Sequence, residues 1–143
     1  MPHLIRPARA DEAGAAVALW RACNLVVPAN DPLADFHRAR GRTDSDVLLA
    51  VEGESLLGSA MVGHDGHRGW IYYLAADPAR RGEGIGRALV AAAEDWVRAR
   101  GIPKIQLLVR RSNAGVMGFY RGQDYAEVPT LVMQKVLTPY SAE

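Results

Sequence analysis

Three glycines that alternate along the chain, Gly82, Gly84 and Gly86, form the segment of this sequence best suited to chemistry. They follow a β-prone run that ends at residue 76, and they open the longest amphipathic stretch of the chain. Glycine lets the backbone approach a ligand closely, and the free N–H groups of a helix start favour an anion. Arg81 and Arg87 flank the glycines and can add charge-assisted contacts to phosphate. The spacing therefore predicts an anion-binding turn between a strand and a helix.

Two well-known phosphate-binding motifs do not fit this turn. A P-loop requires G-x-x-x-x-G-K-[S/T], and no glycine of the chain precedes Lys-Ser or Lys-Thr. A dinucleotide fingerprint requires G-x-G-x-x-G, whereas the spacing here is G-x-G-x-G. A nucleotide-binding domain is therefore the weakest functional interpretation. A glycine-rich turn that serves only tight packing stays an alternative.

Hydrophobic periodicity and turn residues predict the elements that position this turn. Helical spacing follows Asp11, Pro32, Gly84 and Asn113. Apolar runs typical of strands occupy residues 3–6, 47–51, 56–62, 70–76 and 105–109, and a closing hairpin is predicted at 126–128 and 131–133. We therefore expect a single domain over residues 1–143, of class α/β (α+β). Its mixed, mostly antiparallel sheet has about seven strands, with about four helices on both faces.

Length, charge and cysteine content limit the class of protein further. The 143 residues suffice for one domain with its own core. A net charge of +1, with 17 basic and 16 acidic residues spread along the chain, predicts no nucleic-acid binding. No apolar run approaches the roughly 20 residues of a membrane helix, and residues 1–7 do not resemble a signal peptide. The single Cys23 favours a reducing, cytoplasmic location, and the four histidines have no zinc-ligand spacing, so we expect no metal.

Residues 81–86, Arg-Gly-Glu-Gly-Ile-Gly, match every position of [Q/R]-x-x-G-x-[G/A], the acyl-CoA signature of the GNAT superfamily of N-acetyltransferases. The element order, Ser112-Asn113 and Gly118-Phe119-Tyr120 also fall where this family has them, so nearly the whole chain resembles it. Segments 30–32, 65–69 and 103–106 resemble its bacterial YpeA-type branch. The resemblance implies a GNAT-like fold. It also implies transfer of an acetyl group from acetyl-CoA to a primary amine of a small molecule or peptide, by direct attack on the thioester.

The resemblance also implies where acetyl-CoA binds as a co-substrate. The pyrophosphate is expected on the backbone and flanking side chains of Arg81, Gly82, Glu83, Gly84, Ile85, Gly86 and Arg87. In this family the preceding strand splays from its neighbour after a bulge. Leu74, Ala75 and Ala76 are therefore expected to bind the pantetheine arm and to polarise the thioester carbonyl. Asn113 is expected to contact the cofactor, and a plain helix N-cap is the alternative for it.

Two tyrosines are the candidate catalytic residues. Tyr120 matches the family's general acid, because a phenol is protonated at neutral pH and can donate to the leaving thiolate. The alternative is a core aromatic residue. Ribosomal-protein alanine N-acetyltransferases carry a glutamate where this chain has Leu108, so a ribosomal-protein substrate is in doubt. Tyr72, expected on one sheet face with Leu74 and Ala76, is predicted to order a water relay that takes the proton of the amine. A water chain without a single base stays an alternative.

The acceptor is expected to lie against the first helices and a loop. Trp20, Asn24, Asn30 and Asp31 are candidates to line its groove, together with Asp65 and His67 from the turn before residue 70. For Asp31 the alternative is a helix N-cap before Pro32, and loop histidines are usually only solvated.

Three further expectations follow from the resemblance. Proteins of this family are often dimers, so a homodimer is a candidate state, with the closing hairpin and residues 138–143 supplying an edge. Asp124 stands where the family has a glycine and is predicted to adopt the left-handed conformation. A non-catalytic acyl-CoA-binding sensor or interaction domain stays the alternative to an enzyme.

Overall fold

The computed structural model of the chain describes residues 3–140, and its central sheet separates two hydrophobic clusters. The alternation of apolar residues along the second strand accounts for this arrangement. Val47, Leu49 and Val51 enter one cluster, whereas Leu48 and Ala50 enter the other. Since successive side chains of a strand point to opposite faces, one strand with apolar residues at every position supplies both layers.

The sheet has five strands in the order β1-β2-β3-β4-β5. Their bounds are Leu4–Pro7, Ser45–Glu52, Ser55–His64, Gly69–Ala76 and Ile105–Gln106. The first four strands pair antiparallel with their neighbours, and β5 pairs parallel with β4. The sheet is therefore mixed and mostly antiparallel, as predicted.

In the described part of the chain, four helices cover the two faces of the sheet. The helices α1 (Ala13–Ala22) and α2 (Pro32–Ala39) pack on one face, where Trp20 and Phe36 are fully buried. The helices α3 (Ile85–Ala99) and α4 (Ala114–Arg121) pack on the other. The buried side of α3 comprises Ile85, Leu89, Val90, Ala93 and Val97, which repeat at helical spacing. The predicted helix count is confirmed. Within residues 3–140, no helix is long and apolar enough to cross a membrane.

The predicted count of seven strands is not confirmed, since the described residues form five. The expected closing hairpin at 126–128 and 131–133 contains no strand, and its side chains are exposed, with Leu131 at 86% and Met133 at 92%. An apolar pattern shows which residues favour burial, but it does not show whether a sheet edge lies within reach. Residues 138–140 form no strand either, and residues 141–143 of the expected edge lie outside the described part of the chain.

The last strand is also shorter than the predicted 105–109. It pairs with β4 only at two positions, Gly69 with Ile105 and Trp70 with Gln106. Beyond these pairs, residues 71–76 of β4 have no strand on that edge among the described residues. Within the described residues, the pairing of the two strands therefore ends at Trp70, and this edge of β4 is unpaired from Ile71 to Ala76.

Candidate active site

The glycine turn joins β4 to α3 and presents free backbone donors. Gly82 and Gly84 have φ values of 82° and 77°, in the left-handed region that favours glycine, and Gly84 is the N-cap of α3 without a side-chain cap. In the described part of the chain, the N–H groups of residues 85–87 have no hydrogen-bond partner. Gly86 has a different role, because a Cβ there would lie 3.2 Å from Cζ of Phe119 on α4. Close packing thus accounts for one glycine, and backbone conformation accounts for the other two.

The charges around the turn are divided between two arginines and one ion pair. Arg81 and Arg87 are exposed, and neither forms an ion pair with another residue of 3–140. The Glu83 carboxylate accepts a hydrogen bond from Arg80 at 2.7 Å, which lowers the pKa of Glu83. Of the predicted set, Glu83 therefore has only its backbone free to meet an anion. The two arginines and the start of α3 make the turn electropositive.

A bulge in β4 shifts the face to which its side chains point. Ser59 of β3 lies opposite Ala75, and Met61 lies opposite Tyr72, so β4 has one residue more than β3 in this stretch. Tyr73 adopts φ = 50°, an uncommon value for a residue with a side chain.

Asp124, after α4, adopts φ = 68°, as predicted for the place of the family's glycine.

The prediction that Tyr72 shares a face with Leu74 and Ala76 is wrong. Tyr72 and Tyr73 both border the cavity on the α1 and α2 side, whereas Leu74 and Ala76 pack against the cluster under α3. Strict alternation holds only without a bulge, and the extra residue places two successive side chains on one side. Tyr72 still reaches the cavity, but by a different backbone geometry from the predicted one.

The bulge is held by a hydrogen-bond chain from α1. Trp20 donates its indole N–H to Oγ of Ser59 at 2.8 Å, and Ser59 donates its hydroxyl to the carbonyl of Tyr73 at 2.9 Å. The rings of Trp20 and Tyr73 stack with centroids 3.9 Å apart, and the Tyr73 hydroxyl donates to Oδ2 of Asp35 at 2.7 Å. Burial, followed by this hydrogen bond, raises the pKa of Tyr73. These contacts fix the left-handed Tyr73 from two helices.

Trp20 does not line an acceptor groove, contrary to the prediction. Its side chain has no exposed surface, because the large ring fills the core while Ser59 satisfies its N–H. Ser59 is itself fully buried, and nothing in its local sequence distinguishes it from other strand serines. The long-range pairing of β3 with β4 was needed to find it.

A groove of about 920 Å³ lies beside the bulge and extends to the residues after β5. Asn24 and Asn30 line it, as predicted, and so does Leu108, which is 53% exposed. Asp31 does not line it, because its carboxylate accepts the backbone N–H of Ala34 at 3.1 Å and caps α2. The alternative for Asp31 thus describes its observed contact. The carboxylate in the groove is instead that of Asp35, which our sequence reasoning missed.

Asp65 and His67, the loop residues predicted to contact the acceptor, belong to a turn that the Asp65 carboxylate stabilises. Asp65 accepts the backbone N–H groups of Arg68 and His67 and the indole N–H of Trp70, which lowers its pKa to about 2. A carboxylate held in this way is a poor base. Asp65 borders a smaller cavity of about 270 Å³ together with Tyr72, whereas the exposed His67 borders neither cavity.

The two candidate tyrosines differ in their surroundings. Tyr120 is 7% exposed, and burial raises its pKa to about 12. Its hydroxyl makes no hydrogen bond within residues 3–140, but the oxygen keeps some solvent-accessible surface. Tyr72 is 48% exposed and borders both cavities, and burial also raises its pKa. Both phenols are therefore protonated at neutral pH, which suits an acid directly and a base only through ordered water.

Asn113 lies at the start of α4. Its side chain accepts the backbone N–H of Val116 at 3.2 Å, so it is the N-cap of this helix. The side-chain amide has a second polar atom, which this bond leaves available. The cap and a cofactor contact are therefore compatible.

Comparisons with known proteins agree with this architecture. Residues 14–125 match the model of the Acetyltransferase (GNAT) family. An acetyltransferase of Pectobacterium atrosepticum is 41% identical over 133 residues, which are 93% of this chain and 94% of that protein. An acetyltransferase of Yersinia pseudotuberculosis is 38% identical over the same shares of both chains.

Solved structures share the fold at low sequence identity. A predicted acetyltransferase of Clostridium acetobutylicum with acetyl-CoA has a TM-score of 0.74 at 16% identity, over 95% of this chain and 97% of that one. An aminoglycoside acetyltransferase from an uncultured soil sample, in complex with sisomicin, has a TM-score of 0.72 at 17% identity, over the same shares.

Proposed function

Because the chain belongs to the GNAT family and is an acetyl-CoA-dependent acetyltransferase, we propose that it transfers the acetyl group to a primary amine bound in the 920 Å³ groove. The amine attacks the thioester directly, so no acetylated enzyme forms. The edge of β4 that lies unpaired beyond Trp70 is the observation that carries the proposal. In the proposed mechanism, a gap between this edge and the residues after β5 runs from the glycine turn to the groove, which Tyr72, Tyr73 and residues 108–110 line.

The cofactor occupies the gap, with its pyrophosphate at the glycine turn. The unpaired N–H groups of residues 85–87, Arg81 and Arg87 all favour an anion at this place. The pantetheine arm follows the free edge of β4 along Leu74, Ala75 and Ala76. Asn113, at the start of α4, contacts the cofactor through the side-chain atom that its helix cap leaves available. Donors on that edge stabilise the oxyanion that forms when the amine attacks.

Proton transfer involves the two tyrosines. Tyr72 and the waters that it orders take the proton of the attacking amine, and Tyr120 donates a proton to the thiolate of CoA as it leaves. The solvent contact of the Tyr120 hydroxyl supports this role, and its raised pKa keeps the phenol protonated at neutral pH. Leu108, near the end of β5, cannot accept a proton. Ordered water in the groove therefore carries away the proton of the amine.

Calorimetry with acetyl-CoA followed by a free-thiol assay on a panel of amines tests the proposal. Tyr120→Phe should lower kcat by about 100-fold or more, because general acid catalysis contributes that much. It should leave the affinity for acetyl-CoA unchanged. Tyr140→Phe, a partly exposed tyrosine near the end of the described chain, is the matched control.

Three results would contradict parts of this mechanism. A Tyr120→Phe variant with full activity rules out Tyr120 as the acid. Tight binding of acetyl-CoA without transfer to any amine favours the alternative function, a sensor or interaction domain. A larger loss in His67→Ala than in Tyr72→Phe contradicts the relay.

A homodimer and a cytoplasmic location stay part of the proposal. Exposed apolar side chains at Val128, Leu131, Val132, Met133, Val136 and Leu137 support association through the C-terminal segment. Analytical ultracentrifugation over a range of concentrations measures the oligomeric state directly, and a monomer at all concentrations contradicts the dimer.

A further inference from the structure

We infer that the acceptor of this enzyme is an amine that carries a carboxylate beside an apolar group, of which an apolar α-amino acid is the simplest example. The inference rests on the proposed function, because it concerns the groove in which the amine is placed. It follows from the charges of the groove and from the apolar side chains that line the same groove.

The only carboxylate among the groove residues is already occupied. Asp35 accepts the Tyr73 hydroxyl at 2.7 Å and pairs with Arg38 at 3.0 Å. Each oxygen of Asp35 thus already accepts one hydrogen bond, and Arg38 offsets the negative charge of the carboxylate. A polycationic amine would therefore meet no free negative charge on the described lining of this groove.

Arg110 gives the groove a net positive charge. It lines the groove, is exposed, and forms no ion pair with any other residue of 3–140. With Asp35 and Arg38 neutralising each other, the formal charge of the lining is that of Arg110. A guanidinium holds a carboxylate through two parallel hydrogen bonds, which gives orientation as well as affinity.

Apolar side chains make up a large part of the remaining lining of the groove. Leu108 and Val109 precede it directly, and Leu25, Val27 and Met61 line the same groove. Leu108 stands where a related enzyme type carries a glutamate, so this position adds apolar surface and no negative charge. An acceptor that places its carboxylate on Arg110 can bury an apolar side chain against these residues.

Matched pairs of acceptors test the inference. L-phenylalanine is compared with phenethylamine, and L-leucine with 3-methylbutylamine, because each pair differs by the carboxylate alone. Transfer of acetyl groups from acetyl-CoA is followed by thiol release over a range of pH, since the two amines of a pair titrate differently. We expect transfer to the carboxylate-bearing members, and spermidine serves as the polycationic probe.

Substitution of Arg110 separates recognition from intrinsic reactivity, since each acceptor is compared with itself. Arg110→Gln should lower kcat/KM for L-phenylalanine about 10-fold or more, because the charge-assisted contact to the carboxylate is lost. The kcat/KM for phenethylamine should change by less than about two-fold. Arg110→Glu should lower kcat/KM for L-phenylalanine further and raise kcat/KM for spermidine. Arg111→Gln is the control, because this exposed neighbour does not line the groove.

Each remaining outcome decides against the inference. Equal losses for both members of a pair, or no loss in Arg110→Gln, overturn it while the proposed function stands. Binding of acetyl-CoA with transfer only to amines without a carboxylate does the same. No binding of acetyl-CoA overturns the proposed function and the inference together.

Discussion

The glycine turn and the acceptor groove meet at β4, but they are built from different parts of the chain. The turn presents backbone N–H groups from one continuous segment, residues 82–87. The groove presents side chains from the segment between α1 and α2, from α2, β2, β3 and β4, and from the residues after β5. A site made of backbone tolerates changes of side chain but depends on conformation. A site made of side chains depends on each residue and can change its ligand without a change of fold. This difference agrees with a cofactor site shared across a family and an acceptor site particular to each member.

The largest expected effect lies where the two regions share their support. A Cβ added to Gly58 of β3 would lie 2.7 Å from the carbonyl oxygen of Ala75 and within 2.8 Å of Ile85 and Leu89 side-chain atoms. Gly58→Ala should therefore destabilise the fold by about 3 kcal/mol, since backbone and helix must both shift. Thermal and urea unfolding measure the change.

Gly14→Ala in α1 is the control for that substitution. No atom lies within 4 Å of the added Cβ, so alanine should stabilise the helix by about 0.5–1 kcal/mol. Equal stability of the two variants would show that the close approach of β3, β4 and α3 is not a constraint on the fold.

The second prediction concerns the glycine turn alone. Gly84→Val places a β-branched residue at φ = 77°, which costs about 1–3 kcal/mol of strain at the N-cap of α3. The affinity for acetyl-CoA should fall at least about 10-fold in calorimetry, and the binding of an amine to the groove should not change. Unchanged affinity for acetyl-CoA would show that the turn does not hold the cofactor.

The third prediction concerns the chain that joins the two regions. Ser59→Ala leaves the Trp20 N–H and the Tyr73 carbonyl without their partners in the core, at a cost of about 2 kcal/mol. Because Tyr73 is then less constrained, KM for acetyl-CoA should rise more than kcat falls. Ser55→Ala, an exposed position of the same strand, is the control. A loss of stability with unchanged KM would mean that the chain supports the core but does not position β4.

The smallest effect is expected at acidic pH and tests the attachment of α1 to the sheet. The Glu12 carboxylate accepts two hydrogen bonds from Arg6 of β1 at 2.8 Å, which lowers its pKa from 4.5 to about 2. Because the pKa of Glu12 is lower in the folded state than in the unfolded state, the ionised carboxylate stabilises the folded protein above pH 4.5. This stabilisation is lost as the pH falls toward 2.

Thermal unfolding between pH 7 and pH 3 measures that contribution, which we expect to be about 1 kcal/mol after screening by solvent. Glu12→Gln should lower the melting temperature at pH 7 and flatten its decline with acid. Parallel declines for both proteins would show that another group controls acid unfolding.

Local rules were sufficient where the contacts are local. The helix at Ile85–Ala99 follows from its apolar spacing. The αL conformation of Asp124 was instead predicted from the resemblance, because the family has a glycine at that place. The glycine turn was predicted because its donors and its conformation come from one segment. The same rules failed for residues 126–133, where the apolar pattern is that of a strand but no strand partner lies on either side in the described chain.

The face of Tyr72, the burial of Trp20 and the place of Asp35 needed the folded chain. Each depends on residues far apart in sequence, such as Trp20 with Ser59 and Asp35 with Tyr73. A one-residue bulge reverses which side chains share a face, and no local pattern in β4 marks where the extra residue falls.

By itself, the sequence determined the family, the order of helices and most strands, and the glycine turn at Gly82–Arg87 with its free backbone donors. These properties depend on hydrophobic period, glycine conformation and the free donors of a helix start, which are all local. The tertiary structure decided which side chains enter the acceptor groove, since a groove forms between elements that the chain brings together only on folding. The charge of that groove, with Asp35 paired to Arg38 and Arg110 unpaired among the described residues, is therefore a property of packing and pairing.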